Sequence, residues 1–168
     1  MSRTRYEWTL LDFACWAAGL VPVPIYETSS IDQVAHVLVD ADVHLIITET
    51  VSMAEIVRAA AEREGRDNTH VLSLDSEAIE TLIAEGSATP RERVLARSEA
   101  LTKDDIATIV YTSGTTGTPK GTVLSHENFT NLCLNAHAWM PEIAAGKNSR
   151  LLLFLPLAHV FARFLQVF

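Results

Sequence analysis

Between Tyr111 and Gly121 the chain reads YTSGTTGTPKG, which sets small hydroxyl side chains and glycines against a single cation, Lys120. Gly114, Gly117 and Gly121 permit backbone conformations closed to other residues and leave no side chain in the way of a ligand. Successive backbone N–H groups in such a segment can converge on an anion. The hydroxyls of Ser113, Thr115, Thr116 and Thr118 rotate to suit phosphate oxygens. Lys120 adds a mobile point charge, and Pro119 stiffens its approach. Polyphosphate is the ligand that uses all of these at once. An ordinary hairpin turn needs only one or two glycines and no such run of hydroxyls. A P-loop requires G-x-x-x-x-G-K-[ST], and here Pro119 precedes Lys120 and Gly121 follows it.

Other reactive side chains are sparser. His159 stands in PLAHVF, where an imidazole could donate to a developing phosphoryl charge or simply cap a helix. His126 follows Ser125 at a helix start, as a residue behind the site or an exposed one. His36, His44, His70 and His137 share no metal-ligand spacing and read as surface or packing residues. Cys15 and Cys133 sit in apolar surroundings and read as buried, reduced thiols. Trp8, Trp16 and Trp139 occupy core-like helix positions.

The elements that must position these groups alternate between helix and strand, the pattern of an α/β fold with a mainly parallel sheet and flanking helices. A buried helix is expected over Tyr6–Gly19, closed by Gly19. Ser30 caps a second, with Ile31, Val34, Ala35 and Leu38 on one face. Strands are expected at Val43–Thr48, in THVLSL, at Ile106–Thr112, in TVLS and at Arg150–Pro156. Ser52 and Glu55 form a capping box ahead of a third helix. Gly86 ends a fourth, Ser125 caps one over HENFTNLCLNAHAW, and AHVFARFLQVF starts another helix or turn. The polar stretch 87–105 reads as a solvated connection. The first helix has no evident strand before it, and the chain stops on an apolar run; both ends look cut from a larger body.

The 168 residues carry 13 basic and 21 acidic side chains, a formal net charge of −8. That balance offers no basic face for nucleic acid. With 48% hydrophobic residues and a mean hydropathy of +0.17, the chain suits a packed globular body. The longest apolar stretch, LLLFLPLA, is too short to span a membrane. A cytoplasmic protein is the default, with peripheral membrane contact left open.

The run YTSGTTGTPKGTVLSHEN resembles the phosphate-binding signature of the adenylate-forming (AMP-binding) superfamily, which includes acyl-CoA synthetases, luciferases and peptide-synthetase adenylation domains. Thr122 stands where an aliphatic residue is more usual. LLLFLPLAHVFAR resembles the long-chain fatty acyl-CoA synthetase segment L-P-L-A-H-V-F-E-R, with Ala162 in place of the glutamate and Arg163 kept. RTRYEWTLLDFACWAAGLVPVPIYETSS is similar to an early helix and following strand of the same group, in its bacterial members.

The resemblance implies a fragment, residues 1–168, of the large N-terminal domain of such a synthetase, with its C-terminal domain absent. It implies activation of a fatty acid by ATP to acyl-adenylate and pyrophosphate, then acyl transfer to coenzyme A, with Mg²⁺ as cofactor. Thr112, Ser113, Gly114, Thr115, Thr116, Gly117, Thr118, Lys120 and Gly121 would be the nucleotide-binding residues, with Ser113 through Lys120 wrapping the β- and γ-phosphates. Thr112 would lie near the Mg²⁺, Lys120 would follow the departing pyrophosphate, and His159 would orient the adenylate. The family's later signatures do not occur here, so the isolated chain is expected to be inactive or nearly so. Ligases for aryl acids or amino acids, and a non-catalytic remnant, are the alternatives.

Overall fold

The computed structural model describes residues 1–112, 118–140, 142, 150 and 152–168. Its elements run α1 (Tyr6–Ala17), α2 (Ile31–Asp40), β1 (Leu45–Thr48), α3 (Val51–Arg63), β2 (His70–Ser73), a 3₁₀ turn (Leu74–Ser76), α4 (Ala78–Gly86), α5 (Arg91–Ala100), β3 (Ile106–Thr112), β4 (Lys120–Ser125), α6 (His126–Trp139) and α7 (Val160–Val167).

Most boundaries follow from local chemistry. Ser30 and Gln33 close a reciprocal capping box at the head of α2, satisfying two backbone donors that the first turn leaves orphaned; at the head of α6 the Ser125 N–H donates to Asn128 Oδ1 at 2.9 Å. Gly19 adopts φ of 70° just past α1, a left-handed conformation that side chains resist. At α3 the cap is Thr50, whose hydroxyl accepts from the Met53 N–H. Ser52, the expected cap, lies inside the helix and bonds the Thr50 hydroxyl at 2.9 Å. The stretch 87–105 is less irregular than expected, because α5 forms within it, although none of its residues is buried.

The expected parallel pairing holds for β1 and β2, in register from Leu45 with His70 to Thr48 with Ser73. β3 and β4 pair antiparallel. No strand precedes α1 among the described residues, but Met1 reaches β1. Its amino group donates to the Ile47 carbonyl at 2.8 Å, and its own carbonyl accepts from Glu49 at 2.9 Å, the two bonds of a parallel bridge to β1. Glu49 is pinned in turn by Arg3, whose Nη2 lies 2.5 Å from Oε1. The segment 152–156 forms no strand. Leu152 and Phe154 are 84% and 79% exposed, and among the described residues no neighbouring strand completes their backbone pairing.

The main core lies where α2 and α3 cover β1, around Val34, Val37, Leu38, Ile46 and Val57. Burying each of these aliphatic side chains stabilises the fold by roughly 1.5–3 kcal/mol. Ile31, expected on the same face of α2, is exposed. No helix among the described residues is long and apolar enough to cross a membrane.

Candidate functional site

Register brings the first site residues together. Tyr111 stands opposite Gly121 and Thr112 opposite Lys120 on the β3–β4 ladder, so the side chains of Thr112 and Lys120 neighbour one another on one face. A methyl group added at Gly121 would lie 2.9 Å from Ile109 Cγ2 and 3.1 Å from Tyr111 Cζ. Gly121 therefore makes room for Ile109 and the Tyr111 ring on the facing strand, a packing role that its place in the motif did not disclose.

A cavity of about 420 Å³ adjoins this end of the ladder, lined among others by Tyr26, Gln33, Tyr111, Thr112, Pro119 and His159. Thr112 and His159, separated widely in sequence, thus share one hollow, with Lys120 next in chain to its Pro119 wall. Ser113, Gly114, Thr115, Thr116 and Gly117 lie outside the described residues. Thr118 is described and exposed, as are Thr112, Lys120 and His159. A second cavity of about 440 Å³ lies between α1, residues 20–25 and β1; it holds none of the expected site residues and is largely apolar.

His159 is placed by its neighbours. The Thr4 hydroxyl donates to the Leu155 carbonyl at 3.0 Å and accepts from the Leu157 N–H at 3.1 Å, tying the approach to α7 against the N-terminal segment. The Phe161 N–H donates to His159 Nδ1 at 3.2 Å. Since Nδ1 accepts, the neutral ring carries its proton on Nε2. Helix capping and a donor role, rivals in the sequence, are compatible: one ring nitrogen serves each.

One turn on, Arg163 is fully buried. Its Nη2 and Nε meet the two oxygens of Asp12 at 2.5 and 2.8 Å, and Nη1 donates to the Thr108 hydroxyl. Rings of Trp8, Trp16 and Phe129 surround the guanidinium, their centroids 5.7, 5.2 and 5.7 Å away. Burial pushes the Asp12 carboxyl up, while the Arg163 guanidinium pulls it back. A fork donor suits this bidentate, ring-stacked place, and a lysine would not. Ala162 beside it is also fully buried, so a glutamate at this position would have to be enclosed. The pair joins α7, which His159 heads, to α1 and β3.

The remaining sequence expectations divide. Trp8 and Trp16 pack as expected, the latter donating from Nε1 to the Ala107 carbonyl at 2.7 Å. Trp139 does not: it ends α6 at 85% exposure. Cys15 and Cys133 are unpaired and half-buried, with the Cys15 thiol pushed up to about 11 by burial and the Asp12 carboxylate. His126 lies half-buried with its ring edge-on to Trp16. His44 sits exposed, 3.2 Å from Asp42. His36 is the residue that sequence reasoning passed over. Its Nε2 donates to the Pro119 carbonyl at 2.8 Å. Its place one helical turn before Asp40 was the only available signal.

The family model for AMP-binding enzymes matches residues 1–168. The chain belongs to that family. It is 44% identical over 167 residues to the long-chain-fatty-acid–CoA ligase FadD15 of Mycobacterium bovis, covering 96% of this chain and 27% of that protein. Among solved structures, the Mycobacterium tuberculosis fatty acyl CoA synthetase superposes with a TM-score of 0.76 at 27% identity, over 99% of this chain and 31% of the other. The inhibitor-bound N-terminal domain of FACL13 from Mycobacterium tuberculosis gives 0.71 at 29% identity, over 99% and 39%. The chain spans about a quarter of the length of the curated relatives it matches. With the fold of acyl-CoA synthetases, the antiparallel β3–β4 pair and the α7 start together form the candidate site.

Proposed function

We propose that residues 1–168 form part of the large N-terminal domain of a ligase that activates a long-chain fatty acid with ATP. The products of that step are acyl-adenylate and pyrophosphate, and coenzyme A then takes the acyl group. The observation that carries this reading is the shared cavity of Thr112 and His159, bounded by Pro119 next to Lys120. A cytoplasmic location goes with it.

Attack of a carboxylate on a phosphate needs alignment and charge neutralisation more than covalent help. Lys120 supplies positive charge to the departing pyrophosphate, and the Thr112 hydroxyl, its cross-strand neighbour, donates to the same group. His159 presents Nε2–H to oxygens of the adenylate. Donors held in place before reaction act without reorganising. Ser113, Gly114, Thr115, Thr116, Gly117 and Thr118 extend this grip in the proposal, and Gly121 gives the Tyr111 ring its room.

For Mg²⁺ the fit is poor among the described residues. No group of three His, Cys, Asp or Glu side chains is gathered there, and the proposed ligand, Thr112, offers one exposed neutral oxygen. Mg²⁺ is ordinarily held through one or two carboxylates together with substrate phosphates. No step above is routed through it.

The test is pyrophosphate release by a polypeptide extending this chain to the length of its relatives, offered palmitate, benzoate or amino acids. Release with palmitate supports the reading, and the identity to FadD15 favours it. Preference for benzoate or an amino acid would move the protein to another adenylating class. No release with any acid would leave a non-catalytic role.

A further inference from the structure

Tyr111 and Pro119 flank the glycine-rich segment on its two sides, and both are held by the same helix. The Tyr111 hydroxyl donates to Asp40 Oδ2 at 2.5 Å. His36, one turn earlier on α2, donates from Nε2 to the Pro119 carbonyl at 2.8 Å. The His36 ring also stands edge-on to Tyr111, 5.8 Å between centroids at 88°. Tyr111 crosses to β4 over Gly121, an aromatic ring covering a cross-strand glycine. The contacts close a circuit from α2 to Tyr111, through Gly121 and Lys120 to Pro119, and back to α2.

We infer that His36 and Asp40 are positioning residues for the phosphate-binding segment, fixing both flanks of it and thereby the placement of Thr112 and Lys120. The inference rests on the function proposed above and adds the device that sets the grip. Residues three and four apart on a helix share a face, so one rigid element meets both flanks. Neither side chain is asked to touch the nucleotide. Among the described residues β3 and β4 form a two-stranded sheet, and an isolated strand pair is marginal in water. Anchoring to α2, whose opposite face lies in the main core, compensates for that weakness. Burial and the Asp40 carboxylate both keep the Tyr111 hydroxyl protonated, as the bond to Asp40 requires.

The experiment pairs amide hydrogen exchange with titration of tripolyphosphate, on a polypeptide extending this chain to the length of its relatives and on three variants of it. His36→Ala should speed exchange at Lys120 and Gly121 by about tenfold, the scale of one lost hydrogen bond, and weaken tripolyphosphate binding similarly. His36→Gln, which returns an N–H donor, should restore most of both. Tyr111→Phe should speed exchange at Thr112 while leaving α3 unchanged. Unchanged exchange in both His36→Ala and Tyr111→Phe would overturn the inference, as would failure of His36→Gln to rescue. If the wild-type chain binds no tripolyphosphate, the proposed function is weakened instead, and the exchange comparison still decides whether α2 holds the flanks.

Discussion

Thr112 faces Lys120 across the last rung of the β3–β4 ladder, so the end of one strand delivers a hydroxyl and the start of the next a cation to the same place. Lys120→Ala in the extended polypeptide should slow adenylate formation by about 10²–10³, the usual effect of removing one preorganised donor. Fatty-acid binding should change far less. Pre-steady-state pyrophosphate release, compared with equilibrium binding of palmitate, measures the two; equal losses would count against the role given to Lys120.

The Arg163–Asp12 pair makes a prediction about stability. Breaking a buried pair leaves one charge uncompensated and costs about 3–5 kcal/mol, so Arg163→Met or Asp12→Leu alone should shift urea unfolding by that amount. The double variant should recover much of the loss, because two apolar side chains leave no buried charge. Additive losses in the double variant would show that the ion pair matters less here than packing against Trp8 and Trp16.

Gly121→Ala tests the close approach of Tyr111. Overpacking at a site with so little room should cost roughly 1–3 kcal/mol, read as a lower urea midpoint. Adding Tyr111→Ala to that variant should cost less than it does in the wild type, since one of the two crowding side chains is gone, Ile109 being the other. A Gly121→Ala chain as stable as the wild type would remove the packing explanation for this glycine.

Thr50, not Ser52, should carry the α3 cap. Thr50→Ala is expected to cost about 1 kcal/mol, within the usual range for losing a capping side chain. Ser52→Ala should fall within about 0.5 kcal/mol of wild type, as surface substitutions generally do. Thermal unfolding of the two variants side by side settles which hydroxyl caps the helix.

Acid should unlock the N-terminal segment through Glu49. Its carboxyl is held down to about 2, against an ordinary 4.5, chiefly by hydrogen bonding from Arg3. A depressed carboxyl stabilises the folded state fully above its unfolded value and loses that contribution as pH falls through its folded one. Glu49→Gln should therefore be less stable than wild type near neutral pH. The difference should shrink between about pH 4.5 and 2. Urea midpoints across that range provide the check, and a difference that grows on acidification would contradict the assignment.

What could be read along the chain was local. β3 spans the expected Ile106–Thr112, and Ser30 and Ser125 cap the helices assigned to them, because caps and strand periodicity involve partners only a few residues away. Local reading also misled. Ser52 and Glu55 carried the capping-box pattern, yet the helix begins at Val51 and Thr50 caps it, its hydroxyl accepting from the Met53 N–H. The apolar run before Pro156 read as a strand, but a strand needs a neighbour to receive its backbone bonds.

The sequence by itself determined most of the helices and strands around the motif, the residue types of the motif and the family it resembles, since each is written in residues close together. Only the tertiary structure decided which distant groups meet: Tyr111 with Asp40 across 71 residues, His36 with Pro119 across 83, and Arg163 with Asp12 across 151. Such pairings depend on how whole helices pack against the sheets. Packing depends on many side chains at once, so no short stretch of sequence encodes it.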